Sequence, residues 1–332
     1  MIRDLPESHA LLYLCDLPAQ QTCKEHCQTY RDSGESALWL HLCAVSPETR
    51  QWLETQTDLD PLLIDALLAD DTRPRFLGRK DGILLNLRTT GTHGPGPGGT
   101  EDSEADEEMI SIRLWATNSH ILTFRRRDNP ALLRLQSAIA RGEGPRNSGQ
   151  FIARLLEEIT NDIGQLMTTL EDRITESEIH LADGNYQACH DIAPIRRTVT
   201  HLSHYLGPQS VAIHRFLAAQ PAWVNEMEHA SLVESDDDHT RHVEDLASVR
   251  DRAVILTEEL RTLQANRLNS ITYLFSVAAT IFLPLSFLTG LLGVNLGGIP
   301  GTGSSQAFWM FVGACIILIA AQVILFKKLK WF

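Results

Sequence analysis

From Leu268 through Phe326 the chain has no Asp, Glu, Lys, Arg or His, although the residues before it are densely charged. Core helices of soluble proteins seldom run that far without one charge at a rim, so lipid is the environment that accounts for the run. Ile271–Leu292 contributes 22 residues. At ~1.5 Å per residue they make a helix of about 33 Å, enough to cross a ~30 Å hydrocarbon core. Ala307–Phe326 supplies a second run of 20 residues. Two transmembrane helices, about 269–292 and 307–326, are expected.

The flanks orient them. Arg261 and Arg267 precede the first run, Lys327, Lys328 and Lys330 follow the second, and the loop Asn295–Gln306 has no basic residue. The positive-inside rule then puts both termini in the cytoplasm of a multi-pass inner-membrane protein. Acidic residues and a proline interrupt the first 18 residues, which therefore do not read as a secretory signal, and the first ~260 residues are expected to stay inside. The six cysteines (Cys15, Cys23, Cys27, Cys43, Cys189, Cys315) would then sit mostly in a reducing compartment, without disulfides. A net charge of −13 disfavours nucleic acid as a partner and concentrates cations. An ordinary acidic soluble surface has the same composition.

Three regions follow from the patterning. Residues 1–150 read as an α/β domain: ALWLHLC (37–43), GILLNLR (82–88), MISIRLWAT (109–117) and HILTFRR (120–126) are strand-like, while SPETRQWLETQ and LDPLLIDALLAD are helix-like, the first opened by Ser46, Pro47 and Glu48. The glycine- and acid-rich stretch 91–108 reads as a surface excursion whose six carboxylates could hold divalent ions weakly. Residues 151–268 are helical. Ile152, Leu155, Ile159, Ile163, Leu166 and Leu170 mark one face, Ile192, Ile195, Val199, Leu202 and Leu206 a second, and Ala182–Asn185 the turn between. Leu246, Val249, Ala253, Leu256, Leu260 and Leu263 alternate by three and four, a coiled-coil-type seam. With no proline or glycine from His239 to Pro284, one continuous stalk helix leading into the membrane domain, 269–332, is predicted.

On the first membrane helix Asn269, Thr272, Ser276, Thr280, Leu283, Ser286 and Gly290 fall near one stripe. Such a stripe faces either protein, through small-residue packing, or water in a pore. Two helices cannot enclose an aqueous path, so a pore demands a symmetric ring of subunits. Pro284 removes one backbone N–H and marks a bend, static or used in gating.

Gly293, Val294 and Asn295, ending this helix after FLPLSFLTGLLG and followed by a short uncharged loop, one last helix and a lysine-rich tail, resemble the Gly-X-Asn signature of the CorA-type metal ion transporters. GVNLGGIPG is most similar to the zinc-transporting ZntB branch, since the magnesium branch has methionine as X and usually an acidic residue in the loop. DDTRPRFLGRKDGILLNLR, MISIRLW and LTFRRR extend the likeness over nearly the whole chain. The resemblance implies a funnel-shaped homopentamer with an α/β cytosolic domain, a long helical stalk and two transmembrane helices per subunit. It places Asn295 at the outer pore mouth, Asn269 in a polar ring near the inner mouth and Leu283 at an apolar constriction. It implies no cofactor, Zn²⁺ as the transported ion, and uptake that is either proton-coupled or passive; efflux is also considered for this branch.

No Cys, His or carboxylate stands on the first membrane helix to strip water from Zn²⁺. Amide, hydroxyl and carbonyl oxygens suit an ion that keeps much of its water. The glycines after Leu292 let the backbone leave the helix tightly so that Asn295 can converge on an axis. Other clusters carry weaker signals. Asp236, Asp237, Asp238, His239 and His242 form a candidate regulatory metal site at the start of the stalk helix, where the carboxylates would equally suit the helix dipole. CKEHC (23–27) lacks a fourth ligand, His201 and His204 suit a solvated face, and Cys315 suits packing. No phosphate loop or catalytic triad spacing occurs, so the chain is not expected to be an ATPase or another enzyme. Alternatives are a Mg²⁺, Co²⁺ or Ni²⁺ channel of the same family and, from a different class, a membrane-anchored metal sensor.

Overall fold

The four strand-like segments become the centre of a seven-stranded sheet in a computed structural model, which describes residues 11–17, 21–22, 37–69, 73–91, 109–185, 192–293 and 305–328. The strands are β1 (Leu11–Asp16), β2 (Gln21–Thr22), β3 (Leu38–Cys43), β4 (Arg75–Arg79), β5 (Gly82–Thr90), β6 (Met109–Ala116) and β7 (His120–Arg125), in the order β2-β1-β3-β7-β6-β5-β4. Every neighbour is antiparallel except β3 and β7, which run parallel with Leu40 opposite Leu122. Strand β4 escapes the hydrophobic pattern because RFLGR is largely exposed at the sheet edge.

Alternation along the strands separates two faces. One carries Leu40, Leu42, Leu84, Trp115, Leu122 and Phe124, covered by Trp52 and Leu53 of α1 (Pro47–Gln56) and Leu63, Ile64 and Leu67 of α2 (Pro61–Leu68). The other is covered by helices that follow the sheet. Trp39 stacks against Phe151 at 4.8 Å, and Thr89 Oγ1 donates to Asp162 at 3.0 Å. These helices are α4 (Ser148–Ala182) and α5 (Ile192–Ala219), with α3 (Pro130–Ala140) joined to α4 through Arg134 and Asp162. Proline at the first helical position recurs in α1, α2 and α3, where its missing N–H costs nothing. Asp60, Asn129 and Asn147 cap through their side chains; Ser46, although in the cap position, makes no side-chain cap bond.

The predicted apolar stripes of α4 and α5 are buried throughout, and α4 ends at Ala182 with Gly184 in the left-handed region at φ 74°. On α5, Gln209 is fully buried and acts as a surrogate strand. Its Oε1 accepts from the Arg88 N–H at 2.6 Å and its Nε2 donates to the Arg88 carbonyl at 3.1 Å. Strand β4 pairs with β5 only from Gly82 to Asn86, so the side chain completes the sheet edge where β4 has stopped.

Helix α6 runs Glu226–Leu292 and α7 runs Ser305–Lys328. The start of α6 corrects the expectation that Asp236, Asp237 and Asp238 precede the stalk helix: they lie three turns inside it. The physical start signal is Asn225 with Glu228, a capping box in which Glu228 N–H donates to Asn225 Oδ1 at 2.9 Å and Asn225 N–H to Glu228 Oε2 at 3.0 Å. The same carboxylate accepts from Asn147 Nδ2 at 2.8 Å, joining the first turns of α4 and α6. The chain divides into two compact units, Met1–Thr257 and Glu258–Phe332. In the first, the α6 seam residues Leu246, Val249, Ala253 and Leu256 are buried.

Candidate functional site

Helices α6 and α7 each hold an apolar stretch long enough to cross a membrane, and only 6% of each stretch is buried within the chain. Phe275, Phe282, Phe287, Trp309 and Ile317 all stand exposed. Apolar surface on that scale needs lipid or other chains against it.

From Leu268 to Leu292 the side chains of α6 that gain cover are Val277, which is 7% exposed, and the half-buried Ala278, Ile281, Pro284, Leu285 and Leu288. At about 100° per residue Val277, Ile281, Pro284 and Leu288 lie on one side of the helix with Ala278 and Leu285 at its flank, and Thr272, Ser276, Leu283, Ser286 and Gly290 lie on the other. All five are exposed, Leu283 at 73%. Asn269 and Thr280 are exposed at the flanks of that side. The polar stripe is therefore not what packs α6 within its own chain.

Two of its hydroxyl groups have a defined polarity. Ser276 Oγ donates to the Thr272 carbonyl at 2.9 Å and Thr280 Oγ1 to the Ser276 carbonyl at 2.7 Å. With the protons committed to the backbone, each oxygen turns only lone pairs outward, an accepting surface that suits a cation or the waters around it.

At the end of α6 the Gly293 N–H donates to the Thr289 carbonyl at 2.8 Å, and a Cβ at Gly293 would stand 2.9 Å from that same oxygen. Gly293 thus still closes the α-helical ladder, and a larger residue there would crowd the Thr289 carbonyl. Val294, Asn295 and the loop glycines lie outside the described residues, as do Cys23, Cys27 and residues 92–108.

One residue missed in the sequence is Gln322 on α7, whose Nε2 donates to the Thr280 carbonyl at 3.1 Å. A lone amide in an apolar run was the available signal.

In the first unit the five candidate regulatory ligands are not gathered into one site. Asp236 and His239 are buried, Asp237 is exposed, and Asp238 and His242 are half-buried. Among the described residues no three His, Cys, Asp or Glu side chains are grouped to hold a metal. Asp236, His239 and His242 make contacts of their own instead. His214 Nδ1 of α5 stands 3.2 Å from Asp236 Oδ1, while burial pushes the Asp236 carboxyl upward despite that partner. His239 Nε2 lies 3.3 Å from the Leu206 carbonyl, and burial lowers its pKa to about 4. His242 lies over Gly164, where an added Cβ would be 3.0 Å from Nε2. His201 and His204 are exposed, each edge-on to Tyr205, and Cys315 is half-buried.

Residues 34–328 match the family described as CorA-like Mg2+ transporter protein. The chain belongs to the CorA-like family. Within it, the chain is 29% identical to the zinc transport protein ZntB of Yersinia enterocolitica over 299 residues, 90% of this chain and 89% of that one. The full-length CmaX structure superposes with a TM-score of 0.81 at 26% identity, covering 99% of this chain and 100% of that one. The CorA magnesium transporter of Methanocaldococcus jannaschii gives a TM-score of 0.72 at 18% identity over 89% of this chain and 92% of that one, a likeness of fold. The CorA-like architecture thus accounts for the α/β unit, the 67-residue α6 and the two apolar helices together.

Proposed function

We propose that the chain moves divalent metal cations, Zn²⁺ foremost, across the inner membrane through a path lined by α6 from five copies around one axis. The observation that carries this reading is the polar face of α6. It lies opposite the covered side of α6 at Val277, Ile281, Pro284 and Leu288, and the Ser276 and Thr280 hydroxyl protons point back into the helix. A single chain leaves that face to lipid, which is unfavourable, whereas a closed ring turns it toward water.

In such a ring Asn269, Thr272, Ser276, Thr280 and Ser286 offer oxygens to a hydrated ion, Leu283 narrows the path, and the Gly293-Val294-Asn295 signature forms the outer mouth. Full dehydration of Zn²⁺ would call for thiolate, imidazole or carboxylate ligands, so contact through retained water fits this oxygen set better. Kinship with zinc transport proteins favours Zn²⁺, and the family's magnesium members make Mg²⁺ the second cargo to compare. The basic residues flanking the two spans favour cytoplasmic termini.

The test is ion entry into liposomes holding the purified protein and an internal indicator, comparing Zn²⁺, Mg²⁺, Co²⁺ and Ni²⁺ with and without a proton gradient of either sign. Zn²⁺ entry that the gradient accelerates, after correction for pH effects on the indicator, identifies coupled transport. Entry that follows the metal gradient alone identifies a channel. Asn295→Ala is expected to abolish or strongly impair flux while the assembly keeps its size; normal flux in that variant removes the signature from the pathway.

A further inference from the structure

An α-helix closes each carbonyl with the N–H four residues on, and at the Thr280 carbonyl that position is Pro284, which has no N–H. Helix α6 nevertheless continues through Pro284 to Leu292. In hydrocarbon an unmet carbonyl has no water to turn to, so something else must satisfy it. The Nε2 of Gln322 does so from α7 at 3.1 Å.

We propose that Gln322 is a positioning residue for the ion path, replacing from α7 the hydrogen bond that Pro284 deletes and so fixing where the Thr280 hydroxyl oxygen stands. The proposal rests on α6 lining the path. Thr280 is the joint between the two roles: its carbonyl is held by Gln322 while its hydroxyl, bonded to the Ser276 carbonyl, belongs to the accepting face. Any shift of the Gln322 contact therefore moves a path-lining oxygen.

Two further observations support this. From Ala307 to Phe326 the only side chains with a hydrogen to donate are Trp309, Cys315 and Gln322, so the amide is an isolated expense in an apolar helix. Among the described residues its Oε1 is buried with no hydrogen-bond partner. Packing alone would be served better by Leu; what the amide adds here is the donor.

The experiment is a double-substitution cycle in the full-length protein, read as Zn²⁺ flux in liposomes. Gln322→Leu removes the donor at nearly constant volume and is expected to lower maximal flux roughly three- to tenfold, the range of a membrane-buried hydrogen bond, with little change in half-saturating zinc. Pro284→Ala restores the intrahelical donor, and in that background Gln322→Leu is expected to change flux less than about twofold. An equal loss in both backgrounds, or no loss in the first, overturns the proposal.

Gln322→Glu adds a second readout. A protonated acid can donate to the Thr280 carbonyl and a carboxylate cannot, so flux relative to the parent protein is expected to fall as pH rises; a flat ratio also overturns the proposal. If the parent protein carries no Zn²⁺ at all, it is the transport reading that fails. The Gln322 contact is then judged by melting temperatures of the same four proteins, where additive effects of Gln322→Leu and Pro284→Ala overturn it and non-additive effects uphold it.

Discussion

A Cβ placed on Gly149 would fall within the carboxylate of Glu228. The absent side chain at the start of α4 is what lets that carboxylate sit between Asn147 and Asn225 and close the first turns of two helices together. Gly149→Ala should therefore destabilise the protein by about 1–3 kcal/mol, the usual cost of forcing atoms into a filled site. A thermal melt of the full chain in detergent checks this, and an unchanged midpoint would show that the carboxylate relocates freely.

Gln209→Leu should cost more than its lost packing, because it leaves the part-buried N–H and carbonyl of Arg88 without the amide that serves both. Each uncompensated group costs about 1–3 kcal/mol. Gln209→Glu keeps the acceptor and loses the donor, so an intermediate midpoint is expected. A Glu variant no better than Leu would mean the two bonds act only as a pair.

Stability should fall on mild acidification, for a reason with a definite sign. Burial lowers the pKa of His41 and of His239 to about 4, below the ordinary 6.5. Between those values the unfolded chain binds more protons than the folded one, so each residue removes up to ~1.4 kcal/mol per pH unit as pH drops. Asp236, raised by burial, works in the opposite sense at the acid end of the range. His239→Gln should flatten the slope of melting temperature against pH between 6.5 and about 4, whatever it does to the midpoint at neutral pH.

Substitutions on the two sides of α6 should separate function from packing. Thr272→Val keeps the volume of an exposed stripe residue and removes its oxygen, and should lower zinc flux about fivefold, the equivalent of ~1 kcal/mol for one lost polar contact. Val277→Ala, on the covered side, should lower the melting temperature and leave the order of ion preference unchanged. Flux and melting assays on both variants check the division; the reverse pattern would turn the stripe into a helix-packing surface.

The local rules of chain geometry made much of this legible in advance. Strands β3, β5, β6 and β7 announce themselves because their residues are buried and apolar, and α4 and α5 because Ile152 to Leu170 and Ile192 to Leu206 keep a helical period. The stripe of α6 was visible as spacing, but whether it met protein within the chain depended on which side of the helix is covered, and no period in one helix encodes that. Gln322 and Gln209 were not found because each answers a vacancy created far away, at Pro284 and beyond the end of β4. The first turns of α6 went unassigned because Asn225 and Glu228 precede the apolar seam that drew attention to the helix.

The Gln209 bridge also carries a consequence for the chain as it is made. Arg88 and Gln209 are 121 residues apart, so the ribosome presents a finished strand edge long before the side chain that seals it. At ~5–20 residues per second the interval is roughly 6 to 24 seconds. During that time the far end of β5 is open to any neighbouring strand, and protection in those seconds must come from chaperones or from the speed with which the following helices cover the sheet.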